Sequence, residues 1–259
     1  MARDCRRGEG THMAPGSLDG RRAMVIGAEF PAGAAIARAY AAAGADVALC
    51  SLTADEAVLR SRAVKRQVEA MGRRVAEYVM DVTLGKNVQV TTRQIVKEIG
   101  GLDLVASAPE LFLDRSIART SDTELARVMQ VNFAAQFFVV RAVADEFRRD
   151  RPDGQGGVRR GGSITLVVSG LEATGEASAT AYLAALAAVQ SLVQSAAREL
   201  APEGIVVNGI ALGRIEGDAL ASTPARDEEI GAAAVLLASE AASSGIVGRI
   251  IPVGGAAQQ

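Results

Sequence analysis

The sequence predicts an α/β fold: a doubly wound parallel sheet in three layers, formed by a single domain. Short apolar stretches of strand character alternate with longer stretches of helical character along the chain. The chain has 259 residues, of which 49% are hydrophobic, enough for one substantial core. Because the alternation is never interrupted, we expect one domain over residues 18–255, preceded by a disordered tail over residues 1–17.

Seven strands are predicted from apolar runs that are bounded by glycine, proline or charged residues. They cover residues 22–27, 45–50, 75–80, 102–109, 163–168, 204–213 and 248–253. Helices are predicted over 34–43, 53–71 and 121–148, and from near residues 182 and 227. Thr53 with Glu56 and Ser121 with Glu124 have the spacing of capping boxes, which start helices. The Gly- and Arg-rich stretch 150–162 is interpreted as a mobile surface loop.

Composition excludes several classes of function. The formal net charge is −2, so there is no excess of positive charge to bind nucleic acid. The two cysteines, Cys5 and Cys50, are too few for a disulfide framework, and the sole histidine, His12, lies in the tail, so we expect no metal site. No apolar run reaches transmembrane length and the start lacks the hydrophobic core of a signal peptide. A cytoplasmic protein without a membrane partner is expected.

A serine and a tyrosine stand at a characteristic spacing near the middle of the chain. Ser169 follows an apolar strand, and Tyr182 comes thirteen positions later, where a helix begins. This arrangement resembles the short-chain dehydrogenase/reductase family, and the resemblance extends over residues 18–255. It implies a Rossmann-like fold, an NAD(P) cofactor and oxidoreductase chemistry, with Ser169, Tyr182 and Asn132 as the catalytic residues. Without the wider resemblance, Tyr182 would be a helix-start aromatic and Ser169 a strand-end cap.

The position four residues after Tyr182 holds Leu186, where the family has a lysine. Four residues make one helical turn, so that lysine would lie beside the phenol and lower its pKa. A phenol of ordinary pKa, about 10, is ionised in roughly one molecule in a thousand at neutral pH. The lysine would also hold the nicotinamide ribose. The resemblance therefore implies that the catalytic residues are vestigial and that the chain alone is inactive.

The first strand and helix enclose a turn that departs from the family pattern. Gly27 and Gly33 match the outer glycines of the family's cofactor-binding turn, but Pro31 replaces the middle one. Proline removes an N–H donor and adds a ring where a pyrophosphate would approach. Glu29 adds a carboxylate near the dinucleotide's anionic groups. The alternative is a plain strand-to-helix turn without a cofactor role.

Other residues of the cofactor cleft match the family's pattern only in part. Asp81 and Val82 match the family's pair against the adenine, whereas Ser51-Leu52 specifies neither NAD nor NADP. Asparagines and glycine are absent from Ala106–Pro109, Gly217 replaces a threonine that meets the nicotinamide, and the segment after it is shorter than the family's substrate flap. A basic cluster on the second helix is interpreted as a solvated face or, alternatively, a 2′-phosphate contact: Arg60, Arg62, Lys65 and Arg66.

We therefore predict no or weak NAD(P) binding and a structural or regulatory role. Residues 131–143 and 181–189 are apolar nearly all round, so both faces of these helices should be covered. The family pairs the same helices between subunits, which predicts an oligomer through 121–148 and 181–201, either of this chain alone or with a catalytically complete relative. Two alternatives stay open: an active NAD(P)-dependent alcohol or 3-oxoacyl oxidoreductase with an unusual proton relay, and a nucleotide-sensing binding protein.

Overall fold

The computed structural model describes residues 16–53, 57–152, 158–169, 179–213, 226–239 and 245–254. A parallel sheet of seven strands, in the order β3-β2-β1-β4-β7-β8-β9, forms the centre of this part of the chain. These strands are β1 (Arg22–Ile26), β2 (Asp46–Ser51), β3 (Val75–Val79), β4 (Leu104–Ser107), β7 (Gly162–Ser169), β8 (Ile205–Leu212) and β9 (Ile250–Val253). The antiparallel pair β5 (Arg151–Pro152) and β6 (Val158–Arg159) lies within the stretch predicted to be a mobile loop, so that interpretation was incomplete.

Helices cover both faces of the sheet, which confirms the predicted three-layer architecture. They are α1 (Pro31–Ala42), α2 (Ala57–Ala70), α3 (Gly85–Ile99), α4 (Asp122–Met129), α5 (Ala135–Phe147), α6 (Thr180–Leu200) and α7 (Asp227–Ala238). One apolar cluster packs β1 residues such as Val25 against α1 and α7. The other packs Met24 and Ile26 against α3, α5 and α6. Successive side chains of a strand point to opposite faces, so each strand contributes to both clusters.

Two helices differ from the prediction at their ends or in their interior. Helix α1 begins at Pro31, three residues before the predicted start, because proline is well suited to the first helical position. The predicted helix 121–148 starts at the Ser121–Glu124 capping box, as expected, but residues Gln130–Ala134 form a π-helical turn between α4 and α5. Such turns are rare in proteins, and those that do occur often lie at functional sites.

Helix α3 was not predicted. Its buried residues, Val88, Thr91, Thr92 and Ile95, recur at helical spacing and pack toward the sheet. The expected tail lies outside the described residues except for positions 16 and 17, and the Thr53–Glu56 capping box includes residues 54–56, which are also outside them. In the described part of the chain, one stretch, Thr180–Glu203, has the length and apolar character of a membrane span, and half of it is buried in the protein, as in the core helix of a globular domain.

Candidate active site

Strand order reverses between β1 and β4, and in open α/β sheets ligands bind beyond the carboxyl ends of the strands at such a point. Gly27 follows β1 with a φ of +80°, and a Cβ there would lie 2.5 Å from the carbonyl oxygen of Ala108, which follows β4. A Cβ on Gly33 would lie 2.1 Å from the carbonyl oxygen of Gly27. Both glycines are therefore required by the packing of this turn, whether or not a cofactor binds.

Pro31 occupies the first helical position of α1, behind Phe30, whose side chain makes no capping bond. The first hydrogen bond of the helix runs from the Ala34 N–H to the Phe30 carbonyl oxygen, at 2.9 Å. Proline costs the helix nothing at this position, because the N–H there has no intrahelical acceptor. It does reduce the number of donors that the helix start can offer to a phosphate.

Glu29 lies in the turn between β1 and α1 and is 4% exposed, and its carboxylate reaches the end of β2. Its Oε1 accepts a hydrogen bond from the Leu52 backbone N–H at 2.7 Å. The backbone N–H groups of Gly27 and Ala28 donate to the Cys50 carbonyl oxygen at 2.9 and 3.2 Å, which holds the turn against this strand end. Burial, and then the Glu29 charge, raise the pKa of the Cys50 thiol, so this thiol stays protonated.

Asp81 and Val82 follow β3, as predicted. The Asp81 carboxylate accepts from the Thr83 backbone N–H at 2.9 Å and from the Thr83 hydroxyl at 2.6 Å. The Asp81 N–H in turn donates to Asn87 Oδ1 at 2.9 Å, and Val82 is buried. The carboxylate thus organises the turn into α3.

Tyr182 lies in the first turn of α6 and is 1% exposed. Its hydroxyl donates to Glu110 Oε1 at 3.0 Å, and the Phe112 ring meets the Tyr182 ring edge-on, with centroids 5.1 Å apart. Burial, then the Glu110 charge, and then this hydrogen bond raise the pKa of the Tyr182 phenol well above its ordinary value. The phenol is therefore kept neutral and directed at a carboxylate of its own chain.

Leu186 lies one turn along α6 from Tyr182 and is 4% exposed. It belongs to the same apolar cluster as Tyr182, Val128 and Val189. An apolar neighbour supplies no charge that would stabilise a phenolate. The apolar packing therefore favours the neutral phenol, whereas the lysine that the resemblance implies at this position would favour the phenolate.

Asn132 lies in the π-helical turn and is buried. Its Nδ2 donates to the carbonyl oxygens of Leu111, at 2.9 Å, and Val128, at 3.1 Å, while its Oδ1 accepts from the Leu111 N–H at 3.0 Å. Asn132 and Tyr182 thus both bind the segment that follows β4, Asn132 at Leu111 and Tyr182 at Glu110. These contacts fasten that segment over the start of α6.

Comparison with known proteins identifies the family of this chain. The sequence model of the family described as short chain dehydrogenase matches residues 21–228. The chain belongs to the short-chain dehydrogenase/reductase family. A short-chain dehydrogenase/reductase of Armillaria gallica is 33% identical over 197 residues, which are 76% of this chain and 72% of that protein. Galactitol 2-dehydrogenase of Agrobacterium fabrum is 28% identical over 201 residues, 78% of this chain and 73% of that protein.

A solved structure of a short chain dehydrogenase from Mycobacterium smegmatis superposes with a TM-score of 0.80 at 27% identity, covering 94% of this chain and 95% of that one. The predicted Rossmann-like fold is thereby confirmed. Within this family frame, Ser169 ends β7 and pairs with Leu212 of β8, at the same sheet edge as the turn after β1. Gly217 and the short segment in place of the substrate flap lie outside the described residues.

Sequence reasoning missed Glu110 and Phe112. The available signal was a carboxylate directly after the fourth strand, where the carboxyl ends of the parallel strands meet. Whether the family's dinucleotide fits can be judged at both ends of the cleft. The Glu29 carboxylate at the end of β2 suits ribose hydroxyls in the adenosine half. In the nicotinamide half, Tyr182 is covered and paired with Glu110, and the described residues do not fit the cofactor there.

Proposed function

We propose that this chain is a catalytically impaired member of the short-chain dehydrogenase/reductase family that serves as a structural or regulatory subunit of a heteromeric short-chain dehydrogenase complex. The hydrogen bond from Tyr182 to Glu110 carries the proposal. It directs the phenol at a carboxylate while the Phe112 ring contacts the Tyr182 ring edge-on, and Leu186 contributes no cation. The scaffold of the family is retained, while the group that would exchange a proton with substrate is enclosed.

The chemistry of the family explains why this enclosure matters. Dehydrogenation of an alcohol needs a base, and an ordinary phenol already supplies the phenolate in only roughly one molecule in a thousand at pH 7. Burial and the Glu110 charge both raise the pKa of Tyr182, so this fraction falls further. Bound NAD(P) would supply the hydride acceptor. We propose that the chain binds it weakly or not at all, since Pro31 offers no N–H to the pyrophosphate.

The proposed contact surface runs along α5 and α6. Ala184, Ala187 and Ser191 are exposed and recur at helical spacing on one face of α6. Phe137 on α5 is 44% exposed although it is a large apolar side chain. Small residues allow close helix packing, and an exposed aromatic side chain gains most from being covered. We propose that the partner is a catalytically complete family member and that the assembly is cytoplasmic.

Co-expression with related dehydrogenases from the same source tests the proposal. We expect a mixed complex whose turnover is unchanged by Tyr182→Phe in this chain, because the active site belongs to the partner. We also expect the partner alone to be less stable or less active than the complex. If this chain forms only a homo-oligomer, and each candidate partner is fully stable and active alone, the subunit proposal is wrong.

The same hydrogen bond supports a second candidate, an active NAD(P)-dependent alcohol or 3-oxoacyl oxidoreductase. Glu110 lies 3.0 Å from the phenol and would take its proton in place of a lysine-based relay. Under this alternative, Glu110→Gln abolishes a turnover that the wild-type chain shows by itself. Under the main proposal the purified wild-type chain shows no turnover with NAD(H) or NADP(H).

A further inference from the structure

A cavity of about 280 Å³ lies between the start of α3 and the middle of α5. Both helices contribute to its lining, which consists of Gly85, Lys86 and Gln89 from α3 and Arg141, Ala142 and Asp145 from α5. None of these residues belongs to the candidate active site. Pockets for drug-sized ligands start at about 300 Å³, so this separate cavity suits a small molecule.

Lys86 and Arg141 bring positive charge to this cavity from different helices. The Arg141 guanidinium lies 5.2 Å from the centroid of the Phe138 ring and 5.9 Å from that of Phe137. Its Nη2 would lie 2.8 Å from a Cβ built on Gly85, so the guanidinium reaches the first turn of α3. Contact with aromatic rings orients a guanidinium and leaves its N–H groups able to donate to a ligand.

The positive charge at the cavity is not balanced within the described part of the chain. Neither Lys86 nor Arg141 forms an ion pair with a carboxylate there, and Asp145 of the lining pairs with Arg148 at 3.4 Å. The first turn of α3 holds no acidic residue, and its N-cap, Leu84, makes no side-chain capping bond. Cations are unfavourable at the N-terminus of a helix, because the helix dipole is positive there. A bound anion would offset this excess of charge.

We propose that the cavity binds the phosphate group of a small molecule. The Arg141 guanidinium can donate two parallel N–H bonds to phosphate oxygens, and Lys86 supplies the second cation. Together they match the charge of about −1.5 to −2 that a phosphate monoester carries at neutral pH, whereas a single carboxylate would match only one of them. Gln89 adds an amide that can bind the rest of the molecule. The site needs neither a nicotinamide cofactor nor a partner subunit, so it is independent of the proposed function.

Phosphorus NMR titration of the purified full chain with inorganic phosphate and with glycerol 3-phosphate, at constant ionic strength, tests the site. We expect a Kd of about 1 mM or below. Arg141→Gln and Lys86→Gln should each weaken binding by about tenfold, the effect of losing one charge-assisted contact. Arg141→Lys keeps the charge without the planar fork and should retain part of the affinity. Lys97→Gln, in the last turn of the same helix, removes an equal charge and should leave the affinity unchanged.

Three results would overturn the proposal: no measurable binding of either probe, binding that Arg141→Gln and Lys86→Gln leave unchanged, and binding that Lys97→Gln weakens equally. The second would place the phosphate elsewhere, and the third would attribute it to general surface charge. Where the expected losses are seen, tighter binding of glycerol 3-phosphate identifies an ester as the ligand, and equal binding identifies free phosphate. Thermal unfolding establishes that each variant is folded. Co-expression and turnover decide the subunit proposal separately.

Discussion

The Tyr182 hydroxyl donates a hydrogen bond to Glu110, and the phenol is buried. The pKa of the phenol is raised well above 10 by burial, then by the Glu110 charge and hydrogen bond. The other two tyrosines, Tyr40 and Tyr78, also have raised pKa values, in both cases chiefly through burial. We therefore expect the phenolate absorbance near 295 nm to stay absent from the folded protein at about pH 10, where unfolded tyrosines are half ionised.

The same shift makes stability depend on pH in a definite direction. A folded-state pKa above the unfolded value means that the folded chain holds protons that the unfolded chain has lost. The stabilisation is complete below about pH 10 and is lost as pH rises above that value. Urea unfolding at about pH 9 and pH 11 should show this fall, and Tyr182→Phe should reduce it. An equal fall in Tyr182→Phe would contradict the assignment to Tyr182.

Leu186→Lys is expected not to restore ketone reduction. The ammonium would enter an apolar cluster beside Tyr182, and Glu110 and Phe112 would still cover the phenol. Burying an amine of this kind costs about 1–4 kcal/mol of unfolding free energy at neutral pH. Turnover assays with NADH and NADPH, together with urea unfolding, measure both effects.

Leu186→Met is the matched control for this substitution. It preserves volume and apolar character, so its cost should stay below about 1.5 kcal/mol. Turnover in Leu186→Lys, absent from Leu186→Met and from the wild-type chain, would show that the nicotinamide half of the cleft is open to cofactor and substrate. It would contradict the expectation that Glu110 and Phe112 keep the phenol closed to substrate, and would show that the missing lysine alone accounts for the inactivity of the wild-type chain.

At the scale of elements, the π-helical turn before α5 fastens the segment that follows β4. Asn132 makes three side-chain hydrogen bonds there, two of them to Leu111. We expect Asn132→Ala to leave the partly buried Leu111 backbone groups without these partners, at a cost of about 1–3 kcal/mol. Hydrogen exchange at the Leu111 amide should accelerate accordingly.

Gln130→Ala provides the control from the same turn. The Gln130 side chain donates to the Thr83 carbonyl oxygen at 2.6 Å and not to the segment after β4. Its removal should leave exchange at Leu111 unchanged while it weakens the contact with the turn after β3. Equal acceleration at Leu111 in both variants would mean that the π turn as a whole, and not Asn132, holds the segment.

The elements differ in how far the sequence predicts them. Every strand of the main sheet was predicted within a few residues, because each is a short apolar run whose burial is decided locally, as in β8, where all eight residues are buried. Helix α3 was missed because two of its four buried residues are threonines and its start has no side-chain cap, so its sequence pattern is weak. The Tyr182–Glu110 bond joins residues 72 positions apart, and no local pattern specifies such a pair.

At the scale of the whole molecule, acidic side chains stand at both ends of one cleft. The Glu29 carboxylate lies at the end of β2 and Glu110 follows β4, on either side of the point where strand order reverses. The family scaffold is intact over the full sheet. Selection for a folded chain would preserve such a scaffold, whereas nothing in the pairing of Tyr182 requires a cofactor. Under the proposed subunit role, function depends on the outer face of α5 and α6.

We expect the chain to assemble through that face. Ala187 is exposed on α6, on the same face as Ala184 and Ser191, and α6 packs beside α5 in the described fold. An arginine at position 187 would hold apart helices that small residues allow to approach closely. We expect Ala187→Arg to lower the molar mass measured by light scattering to that of a single chain, about 26.7 kDa, or to abolish capture by a co-expressed relative.

Ala70→Arg tests whether any added surface arginine has this effect. Ala70 is exposed at the end of α2, on the layer of helices opposite to α6. The proposed interface predicts no change in mass or in capture for this variant. An assembly that survives Ala187→Arg, or that both substitutions disrupt equally, would place the contact elsewhere. If Ala187→Arg lowers the mass of the chain expressed alone but is still captured by a co-expressed relative, then the substitution disrupts self-association and spares the mixed complex. Both assemblies are proposed to use the same face, and they differ in which partner covers Phe137.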